Sequence, residues 1–503
     1  MGGGLLQLSV TGIEDNYLNN NPNINFFKKV YMRYTNFTMN TIEVLCSNFS
    51  IYNGNLPGTN KKLPFNETSH FRVKIPRNGD LIDNVFLRVQ LPDIISEDVD
   101  LKYVDNLGSS LIKSASLYIE DTLIESITGE FIYAYHKLNE SKGKNNIFDV
   151  MSNGEYKNFN KQNKQEVTSG KTNKFYNTMP GITSREIGIP LYFWFSKIRG
   201  LALPLIALRY HQVFIDFELR PMQDLIVKSN NENKSDTGLT NNRNYFTKPE
   251  ITFNMESYYK NTHWELNPKL DINYIFLDNK ERTEICKHSQ KYLVEQVNLF
   301  NVKSIDGKGK NIEFTPYHPV KEIIILPKRD DIGIRNEWTN FTNFDYPNID
   351  YKKYQKTTIN EEEKIELSKI WKHRKYNKIP TIDKNNYTFF NENIIEKLNI
   401  EIDGKQRLEY KPSEYFTLNQ HLEHYKGSKI DGVLTYSFSK DPGRFQPTGF
   451  CNTSEIDNLV FNINLKTPSN FNENYKYDLA FYFINYNILE IQNGMGGIKY
   501  SNK

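Results

Sequence analysis

The chain has 503 residues, with 63 Lys and Arg against 60 Asp and Glu and a formal net charge of +3. At roughly 100–200 residues per domain this length suggests two to four domains. The near balance of charge excludes the strong basic excess of a chain that wraps nucleic acid, so no direct nucleic-acid partner is expected.

Taken in chain order, the first residues lack a charged stretch followed by an apolar one, so no secretory signal is expected. Leu6 stands where a myristoylation motif after Gly2 needs Ser or Thr. Phe71, Val73 and Ile75 alternate with Arg72 and Lys74, and residues 85–91 alternate until Pro92 ends them, so both read as strands. Residues 114–125 read as a hairpin with Glu120 and Asp121 near its turn. Phe131, Ile132, Tyr135 and Leu138 within 129–139 fit a helical period, and residues 213–219 alternate again. Residues 361–373, with Ile365, Leu367 and Ile370, form a second helical candidate. Strands of this kind with turns between them favour a β-sandwich or jelly roll, an all-β class with few short helices. No apolar run approaches the roughly 18 residues that span a bilayer. The hydrophobic fraction is 38%, but 32 Phe and 32 Tyr supply large buried areas for a core.

The second half repeats the first in order. Residues 321–327 echo the strand that ends at Pro92, and 398–409 echo the hairpin. The turn recurs 283 residues later (119 to 402) and the helix start 284 later (130 to 414). Phe438-Ser439-Lys440 repeats Phe195-Ser196-Lys197, and 459–465 repeats the alternation of 213–219. Five matches in one order point to a duplicated unit. The polar stretch 228–248 reads as the linker between the copies, which gives a first unit at 26–227 and a second at 249–503. Two further polar stretches, 142–185 and 329–393, are too long for turns and read as surface excursions, with disorder as the alternative.

Motifs for chemistry are weak. Gly170-Lys171-Thr172 has Gln165 where a phosphate loop needs its first Gly. Gly494-Met495-Gly496-Gly497 reads as a flexible turn near the terminus, with too few residues after it for a phosphate-binding helix. His421 and His424 share a helix face around Glu423, but a third metal ligand is not apparent. Cys46, Cys286 and Cys451 are far apart without a C-x-x-C pair, which supports neither a zinc knuckle nor a disulfide framework. Reduced, cytosolic folding is the simplest reading. Lys308 to Lys310 and the Lys-rich run 157–174 read as solvated loops. No catalytic, cofactor-binding or metal residues are expected, and no enzyme. Eight N-x-[ST] sequons, among them Asn36, Asn48, Asn340 and Asn452, fit chance in an Asn-rich chain.

Several blocks carry a resemblance: Gly2-Gly3-Gly4-Leu5-Leu6-Gln7-Leu8; Asn21-Pro22-Asn23-Ile24-Asn25-Phe26-Phe27-Lys28; Leu203-Pro204-Leu205 through His211; Tyr274 to Asp278; Gly443-Arg444-Phe445; Ser454 to Asn458; and Tyr486-Asn487-Ile488-Leu489 before the Gly494 motif. In order and span they resemble the major capsid proteins of nucleocytoplasmic large DNA viruses. Glu455 and Glu490 depart from it, standing where that family often has Arg. The resemblance implies two tandem eight-stranded jelly rolls and a homotrimer giving six similar lobes, a pseudo-hexagonal capsomer that tiles an icosahedral shell. It also implies an N-terminal arm over residues 1–25 that links neighbouring capsomers or faces an internal membrane, with minor capsid proteins as further partners. Virion capsid localisation, assembly in host cytoplasm and glycans on outer loops are further expectations. A minor capsid or spike component of the same fold and a jelly-roll carbohydrate-binding protein are the alternatives.

Overall fold

The computed structural model describes residues 2–10, 12, 19–46, 62–64, 67–92, 101–153, 184–229, 246–247, 263–306, 309–343, 393–466 and 475–500. The readings at 170–172, at 157–174 and of a helix at 361–373 lie outside these residues.

Alternating apolar residues build eight principal strands in the first half: β1 Phe37–Leu45, β2 Ser69–Lys74, β3 Leu81–Leu91, β4 Ile112–Ile119, β5 Thr122–Ile127, β6 Arg185–Pro190, β7 Val213–Leu219 and β8 Lys269–Leu277. Two antiparallel sheets result, in orders β1-β8-β3-β6 and β2-β7-β4-β5. Eight more follow: β9 Gln290–Ile305, β10 Lys310–Phe314, β11 Pro319–Arg329, β12 Ile395–Ile402, β13 Lys405–Pro412, β14 Leu434–Ser437, β15 Leu459–Leu465 and β16 Tyr477–Gln492. Their sheets run β9-β16-β11-β14 and β10-β15-β12-β13. Counted from the start of each half, both halves read one-eight-three-six and two-seven-four-five. The duplication expected from the repeats is therefore a repeat of topology, and the fold is the two-sheet jelly roll twice over.

The expected boundary at 228–248 does not match the strand pairing. β8 pairs antiparallel with β1 over Phe37↔Leu277 to Leu45↔Lys269 and with β3 on its other side. It is an interior strand of the first unit's sheet, although the sequence reading gave it to the second. A polar stretch between two strands of one sheet looks the same in sequence as a polar stretch between two domains.

Helices are few. The principal ones are α1 Gly2–Ser9, α2 Gly129–Asn139, α3 Lys142–Asn153, α4 Asn279–Lys287 and α5 Gln420–His424. A π-helical turn, Tyr415–Asn419, runs directly into α5. Thr128 caps α2 by accepting the Phe131 N–H at 3.2 Å. Gly129 is required there, because a Cβ would lie 1.8 Å from the Ser109 carbonyl oxygen. The stretch 142–185, read as a loop, begins with α3; Asn145, Phe148 and Ser152 of this helix are buried.

Two apolar clusters form the core. One fills the second unit between its sheets, with Ile323, Ile325, Phe461, Phe481 and Phe483. The other fills the first unit and continues into the second through Ile324, Leu326, Ala480, Tyr482 and Ile484. Alternate residues of β11 and β16 thus serve different cores. Burial on both faces explains the unbroken apolar runs 323–326 and 479–484, where period two is lost.

Candidate functional site

The surfaces that hold the units together, and those left uncovered, are where a shape-based function would reside. The internal joint is built first by α2. Its entry residue Thr128 shares a hydrogen bond of 2.8 Å with the Tyr482 hydroxyl of β16, and Phe131 packs on the Tyr482 ring at 5.4 Å. Glu130 pairs with Lys328 of the second unit and, at 3.1 Å, with Arg220 of the first. Burial alone would raise the Glu130 carboxyl, but Lys328 and Arg220 outweigh it and hold it low. Arg220 in turn stacks over Trp338 at 4.2 Å, and the Trp338 indole N–H donates to the Asp224 carbonyl. Asn336 donates to the Gln223 and Ile226 carbonyls.

A second polar cluster lies deeper in the joint. Lys321, only 2% exposed, donates to Glu295 at 2.5 Å and to the Pro442 carbonyl at 2.9 Å, and lies 3.4 Å from Glu322. Lys197 of the first unit reaches the other Glu295 oxygen at 3.3 Å. Burial raises the Glu295 carboxyl, yet Lys321 and Lys197 overcome it and hold it at about 2. Tyr425 donates to Glu322 at 2.5 Å. Glu125 of β5 accepts the Trp194 backbone N–H at 2.9 Å. Its burial pushes it up to about 7, against the pull of Lys197 and that N–H. A buried cation shared between carboxylates of β9 and β11, two strands separated by β16, fixes relative orientation more than it adds stability.

The outer face of sheet β1-β8-β3-β6 carries an ion ladder. Arg88 lies 2.7 Å from Asp271 and 3.0 Å from Glu186 and also pairs with Glu43, which Lys269 meets at 3.0 Å. An open pocket of about 440 Å³ adjoins it, lined by Leu45, Cys46, Val89 and Pro268 among others. Burial pushes the Cys46 thiol up to about 12, so it stays protonated and is no nucleophile.

The N-terminal segment is a third surface. Leu5, Leu6 and Leu8 of α1 are exposed, and so are Ile24, Phe26, Phe27, Val30, Tyr31, Met32 and Tyr34, Phe27 at 99%. Exposure continues to Phe37 at the start of β1, so the segment outside the core runs well past residue 25, the end expected from sequence.

Residues 25–278 match the family model for the major capsid protein N-terminus, and residues 281–497 match the model for the large eukaryotic DNA virus major capsid protein. The chain belongs to this family of capsid proteins. Among its relatives, the major capsid protein of Pyramimonas orientalis virus is 29% identical over 100% of both chains. That of Paramecium bursaria Chlorella virus 1 is 28% identical, again over 100% of both. Among solved structures, PBCV-1 VP54 superposes with a TM-score of 0.64 at 22% identity, covering 95% of this chain and 100% of that one. The Faustovirus major capsid protein gives 0.62 at 12% identity, covering 96% and 95%. The protein is a virion capsid component with the double jelly-roll fold of these neighbours.

The motifs singled out in the capsid chain have structural places. His421 bonds to the Gly427 carbonyl at 3.3 Å and stacks on Tyr425, while His424 bonds to the Lys440 carbonyl at 3.1 Å. Each ring therefore has its own backbone partner. Among the described residues, no group of three or more His, Cys, Asp or Glu is placed to hold a metal. The Gly494 motif is more than a flexible turn: Met495–Ile498 forms β17, paired with β16. Gly494 accepts the Tyr210 N–H at 3.0 Å, and a Cβ on Gly496 would lie 2.6 Å from Leu208. The buried cluster at Glu125, Lys197, Glu295 and Lys321 escaped the sequence reading, since nothing local marks these residues as buried.

Proposed function

We propose that this capsid chain is the principal shell tile, closing as a homotrimer whose six similar lobes form a pseudo-hexagonal capsomer. The observation that carries the reading is the twice-repeated strand order, since two like units per chain and three chains make a near-sixfold ring. The role is mechanical and non-enzymatic, without cofactor, metal or direct nucleic-acid partner. The division lies at α4, between β8 and β9, with the exposed N-terminal segment as the arm. This arm contacts neighbouring capsomers, minor capsid proteins or the membrane beneath the shell, and the outer loops carry any glycans. Assembly takes place in the host cytoplasm.

Light scattering on the purified chain tests the reading: about three times the 59.1 kDa chain mass is expected, and a stable monomer contradicts it. Deleting residues 2–20 is expected to leave folded trimers that assemble poorly, and normal shells from the deletion would remove the arm's role.

A further inference from the structure

The two jelly rolls meet across a buried polar cluster whose charges do not balance. The first unit supplies Glu125 from β5 and Lys197 from the helical turn Trp194–Lys197. The second supplies Glu295 from β9 and Lys321 and Glu322 from β11. Ionised throughout, the cluster holds three carboxylates and two ammonium groups, and the pairing leaves one acid out. Both lysines lie on Glu295, at 2.5 Å and 3.3 Å. Lys321 also lies 3.4 Å from Glu322, which accepts the Tyr425 hydroxyl as well.

The acid left out is Glu125, only 2% exposed. One of its oxygens accepts the Trp194 backbone N–H at 2.9 Å, and the other, Oε1, is buried without a hydrogen-bond partner. The side-chain donors of the same turn do not reach it, since the Trp194 indole N–H and the Ser196 hydroxyl are themselves buried and unpartnered. For a carboxyl with one hydrogen bond and no ion pair, burial penalises the ionised form and spares the neutral acid. Its position ties that penalty to the joint. The Ile124 carbonyl of β5 accepts a Gln296 side-chain N–H of β9 at 2.5 Å, and the Trp194 ring lies 6.0 Å from that of Tyr292. β5 then runs through Thr128 into α2, the helix seated on β16 and β11.

We infer that Glu125 works as a proton-operated clasp between the two jelly rolls. With the proton on Oε1 the cluster is electrically balanced, and the seam between β5 and β9 stays dry and shut. Loss of that proton to water leaves an unpaired charge in the seam, which is hydrated only when β5 and α2 lift from the second unit. Burial and Glu295 favour the neutral acid, Lys197 and the Trp194 N–H oppose them, and burial prevails, so the proton is held up to about pH 7. The tyrosines around the cluster, Tyr135, Tyr292, Tyr425 and Tyr486, are pushed upward by burial, and Glu295 is held at about 2, so none of these changes charge near neutrality. Below the ordinary value of 4.5 Glu125 keeps its proton in the closed and the open joint alike. As the pH rises from there toward about 7 the hydrated, open joint gives it up first, so opening is progressively favoured, and the effect is complete above that value.

Hydrogen exchange of the full-length chain tests the clasp, with rates corrected for the intrinsic effect of pH. The joint is read at 122–138 and 290–298, and the second core at 459–465. From about pH 5 to about pH 8, protection of the wild-type joint is expected to fall on the order of tenfold more than that of the core strand. In Glu125→Gln, which keeps an oxygen for the Trp194 N–H but cannot ionise, the two regions are expected to move together. A wild-type joint that merely follows the core strand, or a Glu125→Gln joint that loosens as the wild type does, overturns the clasp. The wild-type profile decides the matter even where the variant fails to fold.

Discussion

Replacing Lys321 by Met removes the buried cation that Glu295 and Glu322 share while keeping a side chain of similar length. Removing one partner of a buried pair costs about 3–5 kcal/mol, because the charge left behind has lost its hydration. The pH dependence is the more diagnostic signal. In the wild type Glu295 is held at about 2 against an ordinary 4.5. At about 1.4 kcal/mol per pH unit, that shift contributes ~3 kcal/mol, fully present above the ordinary value and lost as the pH falls toward the lowered one. In the variant, burial acts on Glu295 without the opposing charge of Lys321, so its affinity for protons rises. Relative to the wild type, stability should then increase as the pH is lowered from about 8 to about 5, a range in which Glu295 adds no slope to the wild-type profile. Urea unfolding of the full chain across that range measures both slopes. Parallel wild-type and variant profiles would refute the assignment of Lys321 as the cluster's central charge.

Glu125→Gln probes the same joint with the opposite sign. Burial raises this carboxyl from 4.5 to about 7, so its favourable contribution exists below the lower value and is lost as the pH rises through the higher one. The Gln variant should therefore melt higher than wild type above about pH 7, by up to ~3 kcal/mol, and alike in acid, as read by calorimetry; equal melting at pH 8 would count against it. Gly129→Ala pushes a methyl group into the Ser109 and Ile112 carbonyls and should destabilise by about 3 kcal/mol or abolish soluble expression. The control Gly404→Ala, at a turn with open space and φ +71, should lose about 1 kcal/mol, and equal effects of the two would undo the packing argument.

Local pattern carried much of the architecture. Phe71 and Val73 against Arg72 and Lys74 declare a half-buried strand, and the observed β2 is buried on that alternation. Thr128, Gly129 and Glu130 announce α2, which starts where the sequence reading began it. The repeats succeeded because five weak signals shared one order. What failed was non-local. β8 pairs with β1 more than two hundred residues earlier, as in Thr41 to Asn273 with a separation of 232, and no local feature marks that partnership. The joint was hidden for a related reason. Lys321 and Glu322 begin an apolar strand and look like its solvated start, but Glu295, Pro442 and Tyr425, all distant in sequence, meet them in the fold and both are buried.

The double burial of β11 and β16 binds the fates of the two jelly rolls. Sheet β9-β16-β11-β14 is a party wall, with rooms on both sides and no weatherproof exterior. Removing the first unit would bare Ile324, Leu326, Tyr482 and Ile484 to water as one continuous greasy strip. Polypeptide synthesis runs in the useful direction: the half that provides the cover leaves the ribosome before the half that needs it.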